Sequence, residues 1–113
     1  MTCLFCEIVE KKRSANIIFE NDDFLVFHDI FPAAPYHALI IPKEHLTSID
    51  DAKAHHAVLL GKLLLIAQQI AQAEPLCKQG YRLVCNTREH GGQTVPHLHF
   101  HLLGGRHMTW PPG

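Results

Sequence analysis

The segment His97-Leu98-His99-Phe100-His101-Leu102 admits one secondary structure. Side chains alternate across a strand, so the three histidines share one face and the apolar residues share the other. In a helix the same histidines would spread over more than half the circumference. A strand with one wholly apolar face lays that face on a core. The segment therefore predicts a sheet with a core side and a side that carries chemistry.

The flanking sequence supplies the rest of that sheet. Asn16 to Glu20 reads as a short strand, Asn21-Asp22-Asp23 as a turn, and Phe24 to His28 as the hairpin partner. Asp29 to Pro35 holds two prolines and reads as a loop, and His37 to Ile41 is a third strand stopped at Pro42. Tyr81 to Asn86 and Thr94 to Leu103 complete five strands around the polar loop Thr87 to Gln93. Ser48-Ile49-Asp50-Asp51, a capping hydroxyl followed by acids, predicts a helix start, and the helix runs to about Glu74, ahead of Pro75. Leu59, Leu63, Ile66 and Ile70 form one apolar stripe at helical spacing, and Leu60, Leu64 and Leu65 lie off it. A helix apolar on more than one side is covered on more than one side, which in a chain of 113 residues points to a partner subunit. The tail from Gly104 to Gly113 predicts no regular element. The expected class is α+β: five antiparallel strands with one long helix on a face.

Composition removes several alternatives. A chain of this length is expected to make one domain, over 1–113, and its 47% apolar content is that of a globular core. Ten basic residues against 11 acidic ones leave no basic footprint for nucleic acid. No apolar run approaches the ~20 residues of a membrane span, the longest, Val58 to Ala67, being interrupted by Gly61 and Lys62. The N-terminus lacks the pattern of a signal peptide, so a cytoplasmic location is expected. Cys3, Cys6, Cys77 and Cys85 are then free thiols or metal ligands rather than disulfides.

Ten of the residues are His, and three of them crowd into this strand. A solvated face would need polar residues, but not three histidines in register. A metal reading is open to a neighbouring pair, ~6.6 Å apart along the strand, and awkward for all three. A catalytic reading makes the central imidazole a nucleophile and its neighbours proton carriers. Nearby residues favour catalysis on a phosphate. Gly91-Gly92 lets backbone N–H groups close around an anion, Thr94 offers a hydroxyl and Asn86 an amide. Taken singly, each is equally an ordinary turn or strand residue.

His97-Leu98-His99-Phe100-His101-Leu102-Leu103 resembles the signature of the histidine triad (HIT) family. The similarity continues through Ile17-Ile18-Phe19-Glu20, Phe27-His28-Asp29-Ile30, Ala34-Pro35, His37, Ile41-Pro42-Lys43 and Gly80-Tyr81-Arg82. It extends to Gly91-Gly92-Gln93-Thr94-Val95 and to the tail Gly104-Gly105-Arg106 through Trp110-Pro111-Pro112-Gly113. These segments look like the nucleotide-binding, Hint-like branch, of which the tail is the best marker. The resemblance implies a HIT-like fold whose five-stranded sheet pairs with a second copy into a ten-stranded sheet. It implies a purine nucleoside phosphoramidase that cleaves adenosine 5′-phosphoramidate, or AMP joined to an amine, through a nucleotidyl-histidine and with no required cofactor.

On this resemblance His99 is the nucleophile, its second nitrogen held by a backbone carbonyl at the His101 position. His37, His97 and His101 flank it, binding phosphate oxygens and relaying protons. Asn86, Gly92, Thr94 and Val95 contact the phosphate and leaving group, with backbone N–H groups at the equatorial oxygens. Asp29 holds the ribose, and Phe5, Ile8, Phe27, Ile30 and Leu39 form the slot for the base. Trp110 approaches the partner's site. The sister-branch alternatives are a dinucleoside polyphosphate hydrolase, which lacks this tail, and a nucleotidyl transferase, which often has Gln at the His101 position. A nucleotide-binding or scaffold protein with weak catalysis is the non-enzymatic alternative.

Two departures matter. Pro96 stands where a bulky residue is usual and removes one ladder donor. Thr94 stands where Ser is common and keeps the hydroxyl. Cys3-Leu4-Phe5-Cys6 has zinc-ligand spacing, and in some family members such a pair binds zinc with two histidines that map to His45 and His97. The sequence leaves the metal content open, with the balance against zinc because it would take His97 out of the proton relay.

Overall fold

The computed structural model of the protein describes residues 3–113. Its strands are β1 (Ile17–Glu20), β2 (Phe24–His28), β3 (Tyr36–Pro42), β4 (Tyr81–Val84) and β5 (Phe100–Gly104). They form one antiparallel sheet in the order β1-β2-β3-β5-β4. The first three are the predicted meander, and β5 enters between β3 and β4.

Central strand β3 is buried along its whole length because the sheet is covered on both faces. On one face Phe24, Val26, Ala38, Ile40 and Leu102 pack against Leu63, Ile66, Ala67 and Ala71 of helix α2 (Ala57–Ala73). On the other, Leu25, Phe27, Leu39 and Ile41 pack against Phe5 and Ile8 of helix α1 (Leu4–Val9). Each large side chain so buried contributes about 1.5–3 kcal/mol.

Helix α1 is absent from the sequence reading. It spans six residues, too short to show a helical period, and the Cys3 thiol caps it by accepting from the Cys6 N–H at 3.4 Å. A helix this short depends on its packing, here through Phe5 and Ile8.

The long helix starts later than expected. Ser48 caps as anticipated, and with Asp51 it forms a capping box, but around a single 3₁₀ turn, Ile49–Asp51, which Ala52 ends in extended backbone. A second turn, Ala54–His56, leads into α2, which stops at Ala73 just ahead of Pro75. Leu63 and Ile66 face the core, with Leu59 and Ile70 packed at its margin, as the stripe requires. Val58, Leu64 and Leu65 are exposed. The helical stretch Ala54–Ala73 is long and apolar enough, by length and composition, to cross a membrane, although the sequence shows no unbroken apolar run of that size; here its stripe lies on the sheet.

The triad strand is shorter than the predicted span from Thr94. Its ladder begins at Phe100, opposite Ile40. Pro96 has no N–H to give, the His97 N–H turns back to the Val95 carbonyl at 2.9 Å, and the Leu98 N–H goes to the Leu46 carbonyl at 2.6 Å. His97 and His99 therefore stand on an irregular lead-in, and His101 stands in the sheet. Gly104, expected in the tail, closes β5 opposite Tyr36 and Tyr81. The remaining tail is tied down by Arg106 donating to the Ala33 carbonyl and Arg82 to the Thr109 carbonyl.

Candidate active site

A cavity of about 710 Å³ opens on the α1 side of the sheet. Its wall contains the apolar residues Phe5, Ile8, Phe27, Ile30 and Leu39 and the polar residues Asp29, His37, Asn86, Thr94 and His101, with Gly92 and Val95. Every residue that the resemblance assigns to base or ribose lines it, as do His37, Asn86, Gly92, Thr94, Val95 and His101 on the phosphate side, whereas His97 and His99 do not. Phe5, Ile8, Phe27 and Leu39 belong to the second core as well, so the slot and the core share side chains. Trp110 is 80% exposed and outside the cavity. Residues that the sequence reading passed over, namely Leu4, Arg13, Ser14, Ala15, His28 and Phe31, also line it. Four of them lie on α1 or follow it, and the missing helix hid them.

Hydrogen-bond partners fix the imidazole tautomers. The Ala33 N–H donates to His37 Nδ1 at 2.9 Å, so the proton of neutral His37 sits on Nε2. That nitrogen is 2.9 Å from His101 Nδ1 and 3.4 Å from Asp29 Oδ2. His101 Nδ1 is thus an acceptor, and its proton sits on Nε2. His99 Nδ1 donates to the His97 carbonyl at 2.7 Å, which leaves His99 Nε2 unprotonated. The carbonyl expected from the His101 position comes instead from His97, because the backbone at His101 is committed to the ladder between Leu39 and Val84. The His99 ring is buried, with its centroid 5.2 Å from Phe5 and 5.0 Å from His101, both in the cavity wall.

Burial holds His101 down to about 4, with His99 and His37 acting in the same direction and Asp29 opposing. Burial also lowers His37, against the pull of Asp29. Both rings are neutral near pH 7. Because the folded-state value of His101 lies below its ordinary 6.5, the unfolded chain binds more protons between these values. Stability that is full above pH 6.5 is therefore lost as pH falls toward about 4. Thermal melts across this range should show the loss, and His101→Gln should flatten it.

His97 is placed differently from its neighbours. The ring is fully buried, and Nε2 donates to the Pro42 carbonyl at 2.8 Å. Nδ1 faces Cys3 Sγ at 3.4 Å, Cys6 Sγ at 3.6 Å and His45 Nδ1 at 3.2 Å, and Cys6 Sγ is 3.3 Å from His45 Nδ1. In a tetrahedron with ordinary zinc bond lengths, N···N edges are about 3.3 Å and S···N edges about 3.6 Å. The four donors fit that cage, and the Pro42 carbonyl supplies the outer partner that orients a metal-ligating imidazole. The ring of His97 is thus engaged away from His37 and His101, and only its carbonyl reaches His99.

The loop before the triad explains its glycines. A Cβ on Gly91 would run into the Thr87 backbone, and Gly92 has φ +81°, which favours glycine. The Gly92 N–H is occupied by the Glu89 carbonyl at 3.0 Å, so it is not the free phosphate donor that the resemblance implied. Among the described residues, no protein acceptor meets the N–H of Thr94 or Val95. The Gln93 side chain laces the loop, donating to the Thr47 and Val95 carbonyls and accepting from the Arg88 N–H.

Comparisons with known proteins agree with this architecture. The family model of the HIT domain matches residues 10–108. A HIT family hydrolase from Legionella pneumophila is 51% identical, with a TM-score of 0.96 over 99% of this chain and 100% of that one. A histidine triad protein from Clostridium difficile is 33% identical, with a TM-score of 0.92 over 96% of this chain and 95% of that one. An uncharacterized HIT-like protein of Synechococcus elongatus is 49% identical over 110 residues, 97% of this chain and 96% of its own length.

Proposed function

This chain belongs to the HIT-domain family, and from that premise we propose that it is a Hint-like hydrolase of purine nucleoside phosphoramidates. One observation carries the reading. An imidazole with its free lone pair on Nε2 adjoins His101, which is hydrogen-bonded to His37 with the Asp29 carboxylate 3.4 Å from the same His37 nitrogen, beside a cavity that also offers an apolar slot. His99 Nε2 attacks the α-phosphorus, the P–N bond breaks, and a nucleotidyl-histidine forms. The departing nitrogen takes a proton from the His101–His37 pair, whose protonated form an anionic phosphate and Asp29 both favour. Water then attacks phosphorus, gives its proton back to the pair and frees His99. The Thr94 and Val95 amides support the equatorial oxygens, and Asp29 accepts from the ribose hydroxyls.

The decisive comparison is turnover of adenosine 5′-phosphoramidate against a dinucleoside tetraphosphate by wild-type protein. Faster cleavage of the phosphoramidate upholds the reading. Faster cleavage of the dinucleotide moves the chain to the polyphosphate-hydrolase branch. AMP binding with no cleavage of either would leave a nucleotide-binding module.

Two features belong to the same proposal. Cys3, Cys6, His45 and His97 hold a structural zinc, which ties α1 to the lead-in of the triad and stands apart from the reacting atoms. Elemental analysis should find one zinc per chain, reduced to background by Cys6→Ser; a wild-type value at background refutes it. The chain also pairs with a second copy in a cytoplasmic homodimer. Val58, Leu64 and Leu65 form an apolar face 67%, 45% and 57% exposed, and β4 ends the sheet with an open edge. Light scattering should give twice 12.8 kDa for the wild type and the single-chain mass for Leu65→Asp.

A further inference from the structure

Arg13 is the only Lys or Arg among the described residues lining the cavity. It follows α1, which contributes Phe5 and Ile8 to the slot, and it is next to Ser14 and Ala15, which line the cavity too. Ala15 packs on the cluster of Phe5, Ile8, Phe27 and Leu39. Arg13 therefore belongs to the stretch of wall that α1 and the residues after it give to the apolar slot. Its Nε donates to Glu7 Oε1 at 3.2 Å, which anchors the guanidinium to α1. Among the described residues no partner meets Nη1 or Nη2.

An exposed Arg–Glu pair contributes little to stability, and the pairing uses one nitrogen of a group that carries five N–H donors and no acceptor. The reach of that group into a nucleobase slot has a chemical consequence. A 6-oxopurine presents two acceptors along one edge, O6 and N7, and a guanidinium fork meets both. A 6-aminopurine presents N7 beside an amino donor, which sets donor against donor. We propose that Arg13 makes the site selective for 6-oxopurine nucleotides, of the guanine or hypoxanthine type, over adenine nucleotides. The proposal rests on the cavity being the nucleotide site; it adds which purine that site prefers. The apolar walls stack either base, and the discrimination comes from the single cation at the slot.

Calorimetry on the wild type, Arg13→Met and Arg13→Lys, each titrated with GMP and with AMP, tests this. A bidentate contact of this kind predicts GMP binding about ten- to a hundredfold tighter than AMP in the wild type. Arg13→Met should bring GMP to the level of AMP. Arg13→Lys, which keeps the charge without the fork, should lose most of the preference. Relative turnover of the guanosine and adenosine phosphoramidates should follow the same order. Equal affinities in the wild type, or a preference that survives Arg13→Met, overturns the assignment to Arg13 while leaving the nucleotide site intact. Failure of both nucleotides to bind overturns the nucleotide site itself.

Discussion

His99→Ala should lower turnover of a nucleoside phosphoramidate by about 10⁴-fold or more while leaving nucleotide binding and the fold in place. The size follows from the division of labour among the imidazoles. Among His37, His97, His99 and His101, His99 alone has its Nδ1 proton held by a backbone carbonyl and its other nitrogen open. His37 and His101 are hydrogen-bonded to each other, so neither ring replaces it as nucleophile. Losing the covalent step leaves positioning and charge stabilisation, which act without a nucleophile. Kinetics should show the loss in kcat, with binding of AMP retained, and the circular dichroism spectrum should be unchanged. A variant that keeps a tenth of wild-type activity would remove the nucleotidyl-histidine from the mechanism.

The second large effect lies on the opposite face of the same strand. Leu102→Ala should destabilise the protein by about 2–5 kcal/mol, measured by urea or thermal unfolding. Leu102 is fully buried, and it packs with Ala38 and Ile40 against Leu63 and Ile66 of α2. Truncation leaves a cavity between sheet and helix that strand β5, paired on both sides, cannot close. Activity at low temperature should persist, since the cavity walls on the α1 side are untouched. A loss under 1 kcal/mol would mean that helix and sheet are loosely packed there.

Much of this was legible in the sequence, and the reasons are local. Alternation from His97 to Leu102 assigned a core side and a chemical side to one strand, and Leu102 and His101 lie as it required. Pro42, Pro75 and the stripe from Leu59 to Ile70 marked ends and faces because they act within a turn or two of chain. What escaped depends on distant pairing. Alternation treats His97 and His99 as equals; the resemblance named Cys3, Cys6, His45 and His97 as a set but weighed it against the relay, and nothing local shows that the ring of His97 faces those three while its carbonyl serves His99. The six residues of α1 are too few for a period, and with them went Arg13 and Ser14. Gly91-Gly92 reads equally as an anion nest or a turn, and the structure shows a turn whose Gly92 N–H is already bonded.

The register of β5 against β3 carries a further consequence. Ala38 faces Leu102 and Leu39 faces His101, so a slip of one residue would turn the imidazoles toward α2 and the leucines toward the cavity. Such a molecule would lose its core and its chemistry together. Specific activity is then a headcount of correctly paired chains, and an enzyme assay on a refolded or aged sample doubles as a test of its strand pairing.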